Sequence, residues 1–512
     1  MNKRRFVAFF LAVLSVLIPM LTTACGKEEK PEVPDTPEES NKILSPAFGD
    51  EHLKFDNEDF VVLTKTDGAR ENGYNVVDLV VEENLGDSVI IDSVLRRNDA
   101  ILSNFDINIK RVTSASPKAD ASLAIEKQDY SYDSFMLSVT DGLTIALQGT
   151  LVDFSEANYI DFTNPWWDRG VIDNLTLLGG TYIALGDLNT VDNDASWCTL
   201  FNKDILAAYG TTDAQMYQMV KEGMGVQGGW TVDQLTYIAK SSYKEDPNYH
   251  NKWELTYGGS GTYGLCTQKE LGYTLMQAAG ITPTKVDSGM AGIVSNLNSQ
   301  EFQDGIDAAF DFLGNKTSAD WYLEMDSVSF DDKWRLIARG GFMANKYAFF
   351  VCPVMSINLI REMKSDFGII PLPKLVDTQE DYGNTLQYYN ALCYVVPYRM
   401  DEDLNDKSCY VLEAMSYYSS PEFDEEGCLS YAYYTLLLQA KATRDDDAWD
   451  MMDIIFGNRV FDLAVALNLL SIRTVLNDCT TGAMNNWASQ RDSRLHNLNS
   501  EIAGKLEILA KG

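Results

Sequence analysis

Aromatic rings stand close to carboxylate, amide or guanidinium side chains at four places in the sequence. A sugar presents C–H bonds on its faces and hydroxyls around its rim, so a sugar site needs flat aromatic surfaces beside hydrogen-bonding groups. The candidate residues are Asp192, Asp194 and Trp197 in VDNDASW, Trp166 and Trp167 in PWWD, Tyr388 and Asn390 in YYN, and Trp487 and Arg491 in NNWASQR. For the tryptophan pair, packing inside the core is the competing interpretation, because aromatic side chains dominate protein cores.

Histidine is scarce, which limits the catalytic chemistry open to the chain. His52, His250 and His496 are its only histidines, and no H-E-x-x-H, G-x-S-x-G or P-loop motif is present. The acidic run at residues 445–447 lacks the spaced ligands of a calcium loop, and a charge run of this kind is typical of solvated surface. We therefore predict no catalytic residues, no metal ion and no cofactor.

The first residues have the order of an export signal. Lys3, Arg4 and Arg5 precede an apolar run from residue 6 to 18, and small residues follow before Cys25. The run is shorter than the roughly 20 residues that cross a bilayer as a helix. The sequence predicts a signal peptide over residues 1–24 and a proline-rich, polar tether over 25–45. The cysteine after Ala24 resembles the lipobox of bacterial lipoproteins, which implies lipidation of Cys25 after cleavage. An ordinary secretory peptide ending near a cysteine is the alternative.

Composition indicates a large, acidic, globular protein. The chain has 512 residues, a formal net charge of −34 and 45% hydrophobic residues. A single core seldom grows beyond about 250–300 residues, so two lobes are expected. A field of this sign repels nucleic acid, and we predict no nucleic-acid partner.

Seven cysteines remain besides Cys25, which is an odd number, and none forms a C-x-x-C motif. Their neighbours are mostly apolar or aromatic, so buried free thiols are expected.

Hydrophobic patterning predicts alternating strands and helices. Strands are expected at 60–64, 107–112, 134–139, 367–370 and 391–396, and helices at 90–105 and 143–148. Thr231 with Gln234 reads as a capping box that begins a helix. Helical spacing dominates from residue 404 onward. A strand–helix–strand order of this kind indicates an α/β fold with a parallel or mixed sheet.

Several segments, in the same order along the chain, resemble the extracellular solute-binding proteins of ATP-driven sugar importers, the family that includes the maltose-binding protein. The segments are YDSFMLSV, ALQGTLVDF, NPWWDRG with LLGGTYIALGD, LFNKDILAAYG, GGWTVDQLTYIAK, and ARGGFMANKYAFFVCPVMSINLI with DFGIIPLPK. They extend over about residues 132–374. The chain departs from the family where the usual G-K-A-A-M reads GGFMA, and its acidic residues near the expected cleft follow no single sugar-specific pattern.

The resemblance implies an α/β, two-lobed periplasmic-binding-protein type II fold with a hinge and a ligand cleft between the lobes. Lobe 1 would comprise residues 46–195 and 372–416, and lobe 2 residues 196–371 and 417–512. The chain would cross between lobes near residues 192–200, near Pro371 and near Tyr417. Closure on the ligand would follow from bending at these crossings.

The resemblance also implies a function and a location. The chain would be a monomeric, lipid-anchored protein on the extracellular side of the cell membrane, and it would deliver a carbohydrate or other small polar ligand to the permease subunits of an ABC importer. Two alternatives stay open. A lipid-anchored glycoside hydrolase needs only two carboxylates about 5–10 Å apart, and the chain has 75 acidic residues. A structural or adhesive surface protein is disfavoured because the sequence is neither repetitive nor β-rich.

Overall fold

Two separate β-sheets form the framework of the computed structural model, which describes residues 53–66, 78–81, 88–246, 259–287, 292–314, 321–329, 331–439, 446–482 and 486–510. The predicted signal peptide, Cys25 and the tether lie outside these residues. The strands are β1 Glu58–Lys65, β2 Ile107–Ser114, β3 Ser134–Ser138, β4 Trp197–Asn202, β5 Tyr263–Thr267, β6 Thr284–Asp287, β7 Gly292–Ser295, β8 Tyr322–Glu324, β9 Tyr347–Pro353, β10 Phe367–Ile370 and β11 Leu392–Val395.

Helices connect and cover these strands. They are α1 Ser88–Phe105, α2 Pro117–Lys127, α3 Val139–Ala146, α4 Arg169–Leu175, α5 Val191–Asp194, α6 Lys203–Ala208, α7 Asp213–Glu222, α8 Val232–Ser241, α9 Leu271–Ala278, α10 Gln300–Leu313, α11 Gly340–Met343, α12 Ser356–Ile360, α13 Glu402–Tyr418, α14 Leu429–Gln439, α15 Asp446–Gly457, α16 Leu463–Ala466, α17 Ile472–Thr481, α18 Trp487–Gln490 and α19 Leu498–Leu509. Short 3-10 or π turns at 325–327, 334–339, 469–471 and 491–495 complete the set.

The first sheet has the strand order β11-β3-β1-β2. β1 pairs in parallel with both β2 and β3, and β11 is antiparallel to β3. The unit β1–α1–β2 is therefore the strand–helix–strand element that the sequence predicted, and the predicted strand at 391–396 joins the same sheet as β11.

The second sheet has the order β10-β4-β9-β5-β8, and β6 and β7 form a separate hairpin. β9 is antiparallel to β4 and parallel to β5. β4 and β9 contribute to two apolar clusters, with Phe201 and Phe349 in one and their neighbours Leu200 and Phe350 in the other. Both faces of this sheet are therefore buried, which is usual where helices cover a mixed sheet.

Threonine side chains cap the first turns of α7 and α8. Thr231 accepts a bond from the Gln234 N–H at 3.3 Å, which is the capping contact that the sequence predicted for α8. The complete reciprocal box lies one helix earlier, between Thr212 and Gln215. These contacts satisfy amides that have no partner inside the helix.

The chain passes between the sheets at two places that matter for the site. The first crossing comprises residues 187–196, immediately before β4, and the second crossing comprises residues 371–391, between β10 and β11. The strands of the first sheet all fall within the ranges predicted for lobe 1, and those of the second within the ranges for lobe 2. The described residues, from 53 onward, group as one compact unit, so the exact lobe boundaries remain a prediction.

Candidate functional site

The strand ends of the two sheets meet at the second crossing. α3 follows the carboxyl end of β3, and its Val139 N–H donates to the Ala391 carbonyl at 3.0 Å. On the other side, Gln387 Nε2 donates to Oε1 of Gln268, the residue after β5, at 3.2 Å. The crevice outside the carboxyl ends of strands is where open α/β sheets bind ligands. The second crossing is therefore the geometric candidate for a binding site.

An aromatic ring surrounded by polar groups lies at this crevice. Tyr389 is 40% exposed, and its hydroxyl donates to Glu270 Oε2 at 3.1 Å. The Arg473 guanidinium carbon lies 5.5 Å from the centroid of the Tyr389 ring. Gln268 and Asn390 are also partly exposed here. We call these five residues, Gln268, Glu270, Tyr389, Asn390 and Arg473, the Tyr389 patch.

The charges of the Tyr389 patch oppose one another. Burial raises the pKa of Glu270 above its ordinary value, while the bond from Tyr389 and the positive charge of Arg473 act in the opposite direction. Beside the patch, Lys269 Nζ lies 2.9 Å from Asp478. The carboxylates here thus have cationic neighbours, in contrast to the strongly negative chain as a whole.

The two predicted residues of the YYN segment differ in environment. Tyr388 is buried, and its hydroxyl accepts bonds from Gln277 Nε2 and the Asp462 N–H, both at 2.9 Å. Asn390 is partly exposed and donates to Gln387 Oε1 at 2.8 Å. Tyr388 therefore supports the crossing from inside, while Asn390 has surface at the crevice.

Strained backbone precedes the helix that provides Arg473. Asn468, Leu470 and Ser471 have φ values of +50°, +51° and +59°. Left-handed conformations are uncommon for non-glycine residues and persist only where surrounding contacts hold them. One such contact is the bond from the Arg473 N–H to Asn468 Oδ1 at 3.1 Å, which fixes the start of α17.

The first crossing contains a buried ionic cluster. Arg459 Nη1 lies 3.0 Å from Asp168 Oδ2 and 2.7 Å from Asp192 Oδ2, and Arg459 also bonds to Asn193. Asp192 is 2% exposed, and burial raises its pKa to about 6 against the effect of Arg459. The second oxygen of Asp192 has no hydrogen-bond partner among the described residues.

Asp194 lies in the same crossing, Trp197 directly follows that crossing, and both are buried. The Tyr433 hydroxyl donates to Asp194 Oδ1 at 2.7 Å, and burial raises the pKa of Asp194 to about 7. Trp197 is the first residue of β4 and is 1% exposed. The structure thus brings Asp192, Asp194 and Trp197 together, with protein groups around them; their ligand-binding role stays a prediction.

Both tryptophans of PWWD bond to one glutamate. The indole N–H of Trp166 donates to Glu413 Oε1 at 3.2 Å, and that of Trp167 to Glu413 Oε2 at 2.8 Å. Asn164 Nδ2 also donates to Glu413 Oε1, at 2.8 Å. All three donors and Glu413 are buried. The tryptophan pair thus has the buried environment of side chains that pack in a protein core.

The partners that the structure describes for Trp487 and Arg491 are Phe302 and Asp492, which lie outside both crossings. The Trp487 ring lies 5.2 Å from that of Phe302, and its indole N–H has no partner among the described residues. Arg491 Nε donates to Asp492 Oδ1 at 2.8 Å. The ligand-binding role of Trp487 and Arg491 stays a prediction.

Several site residues escaped the sequence-based selection. Tyr389 belongs to the YYN segment, between the candidates Tyr388 and Asn390, and it is exposed because residues 388–390 form a turn. Glu270, Arg473 and Arg459 carry no local signal, because their importance comes from partners far away in sequence. Within the described part of the chain, no three or more His, Cys, Asp or Glu side chains converge as a metal site would require. Nor does any described helix combine the length and hydropathy of a membrane span.

No family model matches the sequence, and no curated protein matches it. Solved structures do resemble the fold. An ABC substrate-binding protein from Listeria monocytogenes in complex with cycloalternan has a TM-score of 0.52 at 13% identity, over 87% of this chain and 99% of that one. The sugar-binding protein MalE from Xanthomonas citri has a TM-score of 0.52 at 13% identity, over 88% and 98%. A cyclo/maltodextrin-binding protein complexed with maltotetraose has a TM-score of 0.50 at 14% identity, over 90% and 98%. The chain therefore has the α/β fold of the maltose-binding type of substrate-binding protein.

Proposed function

We propose that the protein is the extracellular substrate-binding component of an ABC importer, and that it captures a mono- or oligosaccharide between its two sheets. The observation that carries the proposal is the fold, which extends over nearly the whole length of substrate-binding proteins solved with cycloalternan or maltotetraose. The meeting of strand ends from both sheets at the second crossing supports it, because closure there would enclose a ligand.

We place the ligand at the Tyr389 patch. The guanidinium of Arg473 lies over one side of the Tyr389 ring, and the residue as a whole is 40% exposed. The exposed part offers a flat surface for the C–H face of a sugar. Glu270, Gln268 and Asn390 supply acceptors and donors around that ring, which suits hydroxyl groups.

The local charge favours an uncharged ligand. Glu270 lies near Arg473, and Lys269 pairs with Asp478, so neither sign dominates at the crevice. A strongly acidic sugar would meet Glu270, and a basic one would meet Arg473. Since like charges repel more strongly where water is excluded, neutral saccharides fit this arrangement best.

Export and anchoring complete the proposal. Lipid on Cys25, after removal of residues 1–24, would hold the protein at the extracellular face of the membrane, and residues 25–45 would act as a spacer to the permease. We propose that the protein acts as a monomer. Metabolic labelling with radioactive palmitate tests the anchor: we expect label on the natural protein and none on Cys25→Ala, and equal labelling of both would refute it.

Calorimetric titration of the purified protein with linear and cyclic glucose oligosaccharides, monosaccharides and peptides tests the function. A ligand at 100 times its Kd stabilises a folded protein by about 2.7 kcal/mol, so the melting temperature measured in parallel should also rise. Tyr389→Ala should weaken binding of the recognised sugar at least tenfold, because the platform is lost. Tyr398→Ala is the matched control, since Tyr398 is 56% exposed but lies outside the patch.

The outcomes separate the hypotheses. Binding that leaves the sugar chemically unaltered by chromatography supports the importer component. Release of shorter sugars would instead establish the glycoside hydrolase. Binding of peptides with no response to any sugar would refute the carbohydrate assignment.

A further inference from the structure

The second sheet contains three free cysteines on one face. Cys198 lies on β4, Cys266 on β5 and Cys352 on β9, and each has 0% exposure. All three belong to one apolar cluster, whereas Trp197 of β4 and Val351 of β9 belong to the other. The three side chains therefore point to the same side of the sheet, which is a precondition for a bond between any two of them.

The strand register places Cys198 directly opposite Cys352. Two positions along the ladder, the Val354 N–H donates to the Ser196 carbonyl at 2.8 Å, so the cysteines occupy a hydrogen-bonded position of the antiparallel pair. Cα atoms in such positions are about 5.5 Å apart, inside the range of about 4.4–6.8 Å that a disulfide spans. Cβ atoms there are also about 5.5 Å apart, against about 3.5–4.5 Å in a disulfide, so the two strands must move about 1 Å closer at this point for the bond to form. The Cys198 thiol already contacts the Cys352 carbonyl, at 3.4 Å.

Cys266 is offset from this pair. It lies opposite Phe350, two residues before Cys352, in the parallel pairing of β5 with β9. Diagonal neighbours of this kind are about 7–8 Å apart, beyond the separation that a disulfide spans without backbone movement. The sheet therefore distinguishes one pair of thiols from the third.

We propose that Cys198 and Cys352 form a site of reversible disulfide formation that covalently links β4 to β9. The oxidant is a small-molecule disulfide. One protein thiolate attacks it, which forms a mixed disulfide and releases one thiol; the second protein thiolate attacks the protein sulfur of that mixed disulfide and releases the second thiol. The two cysteines lose two protons and two electrons in total, and the small disulfide gains both.

The link would lie at the edge of the first crossing. Residues 354 and 355, just after β9, donate backbone bonds to Ser196 and Asp194 of that crossing at 2.8 and 3.0 Å. Cys198 follows the crossing by two residues. Burial raises the pKa of the Cys198 thiol well above its ordinary value, so thiolate is scarce and the exchange requires local opening of the strands. We expect slow formation and, because the bond closes a long loop, a higher melting temperature afterwards.

Peptide mapping tests the proposal on the full-length protein. The reduced protein is incubated with excess oxidised glutathione at a series of temperatures below its melting transition, free thiols are alkylated in denaturant, and the digest is analysed by mass spectrometry. We expect one linked peptide pair containing Cys198 and Cys352, with the other cysteines alkylated, and an upward shift of the melting temperature that a reductant reverses.

Matched variants separate the link from general oxidation. Cys266→Ala should keep both the linked peptides and the melting shift, whereas Cys198→Ala and Cys352→Ala should lose both. Complete alkylation of Cys198 and Cys352 at every temperature would overturn the proposal, as would a link through Cys266. Peptide mapping of the natural protein tests the proposal even if a variant fails to fold.

Discussion

Removal of the Glu413 carboxylate should destabilise the protein strongly. Glu413→Ala would leave the indole N–H groups of Trp166 and Trp167 and the amide of Asn164 without their shared acceptor, all in a buried environment. A buried donor without a partner costs about 1–3 kcal/mol, so three of them cost about 3–9 kcal/mol. The stability of a typical domain is about 5–15 kcal/mol, so this loss is a large part of the total.

Urea unfolding followed by tryptophan fluorescence measures the effect directly, because two of the reporting indoles bond to the altered residue. Glu402→Ala is the matched control: Glu402 belongs to the same helix, α13, but is exposed. We expect a much lower midpoint for Glu413→Ala and a change of less than about 1 kcal/mol for Glu402→Ala, as is usual for exposed positions. Equal midpoints for the two variants would refute the assignment of the tryptophan pair to the core.

Two further predictions concern the buried charges of the first crossing. The pKa of Asp194 is raised from 3.8 to about 7, so between these pH values the folded protein binds a proton that the unfolded chain releases. The stability of the protein should therefore fall as pH rises from about 4 to 7. In thermal melts taken across this range, Asp194→Asn should show a smaller fall than the natural protein, and a steeper fall would contradict the prediction. Arg459→Ala, which leaves Asp168 and Asp192 without their cation, should cost about 3–5 kcal/mol in urea unfolding. Arg335→Ala, which breaks an exposed pair with Asp332, should cost less than about 1 kcal/mol, and similar losses in both variants would argue against the buried pair.

The sequence predicted elements well where a local pattern determines them. The helix expected at 90–105 is α1, Ser88–Phe105, and the strand expected at 60–64 is the centre of β1, Glu58–Lys65. The seven cysteines outside the signal region are buried and free, as their apolar neighbours indicated. In each case the deciding interactions lie within a few residues of chain, so periodicity and neighbour type are sufficient.

The site was harder to predict because its partners are distant in sequence. Glu413 accepts a hydrogen bond from the indole of Trp167, which lies 246 residues away in the sequence, and Arg459 bonds to Asp192, which lies 267 residues away. No local pattern records such a pairing. Residue type alone also cannot distinguish an aromatic ring that packs in the core from one that faces a crevice, and for Trp166 and Tyr389 only the fold makes that distinction.

The two crossings differ in how far their polar side chains are buried. At the first crossing, Asp192 and Asp194 are buried and bond to Arg459 and Tyr433, and a ligand would have to replace those bonds. At the second, Tyr389 is exposed and Asn390 is partly exposed, so a ligand can reach both side chains without opening the core. This difference in burial supports our proposal that the ligand binds at the second crossing rather than at the first.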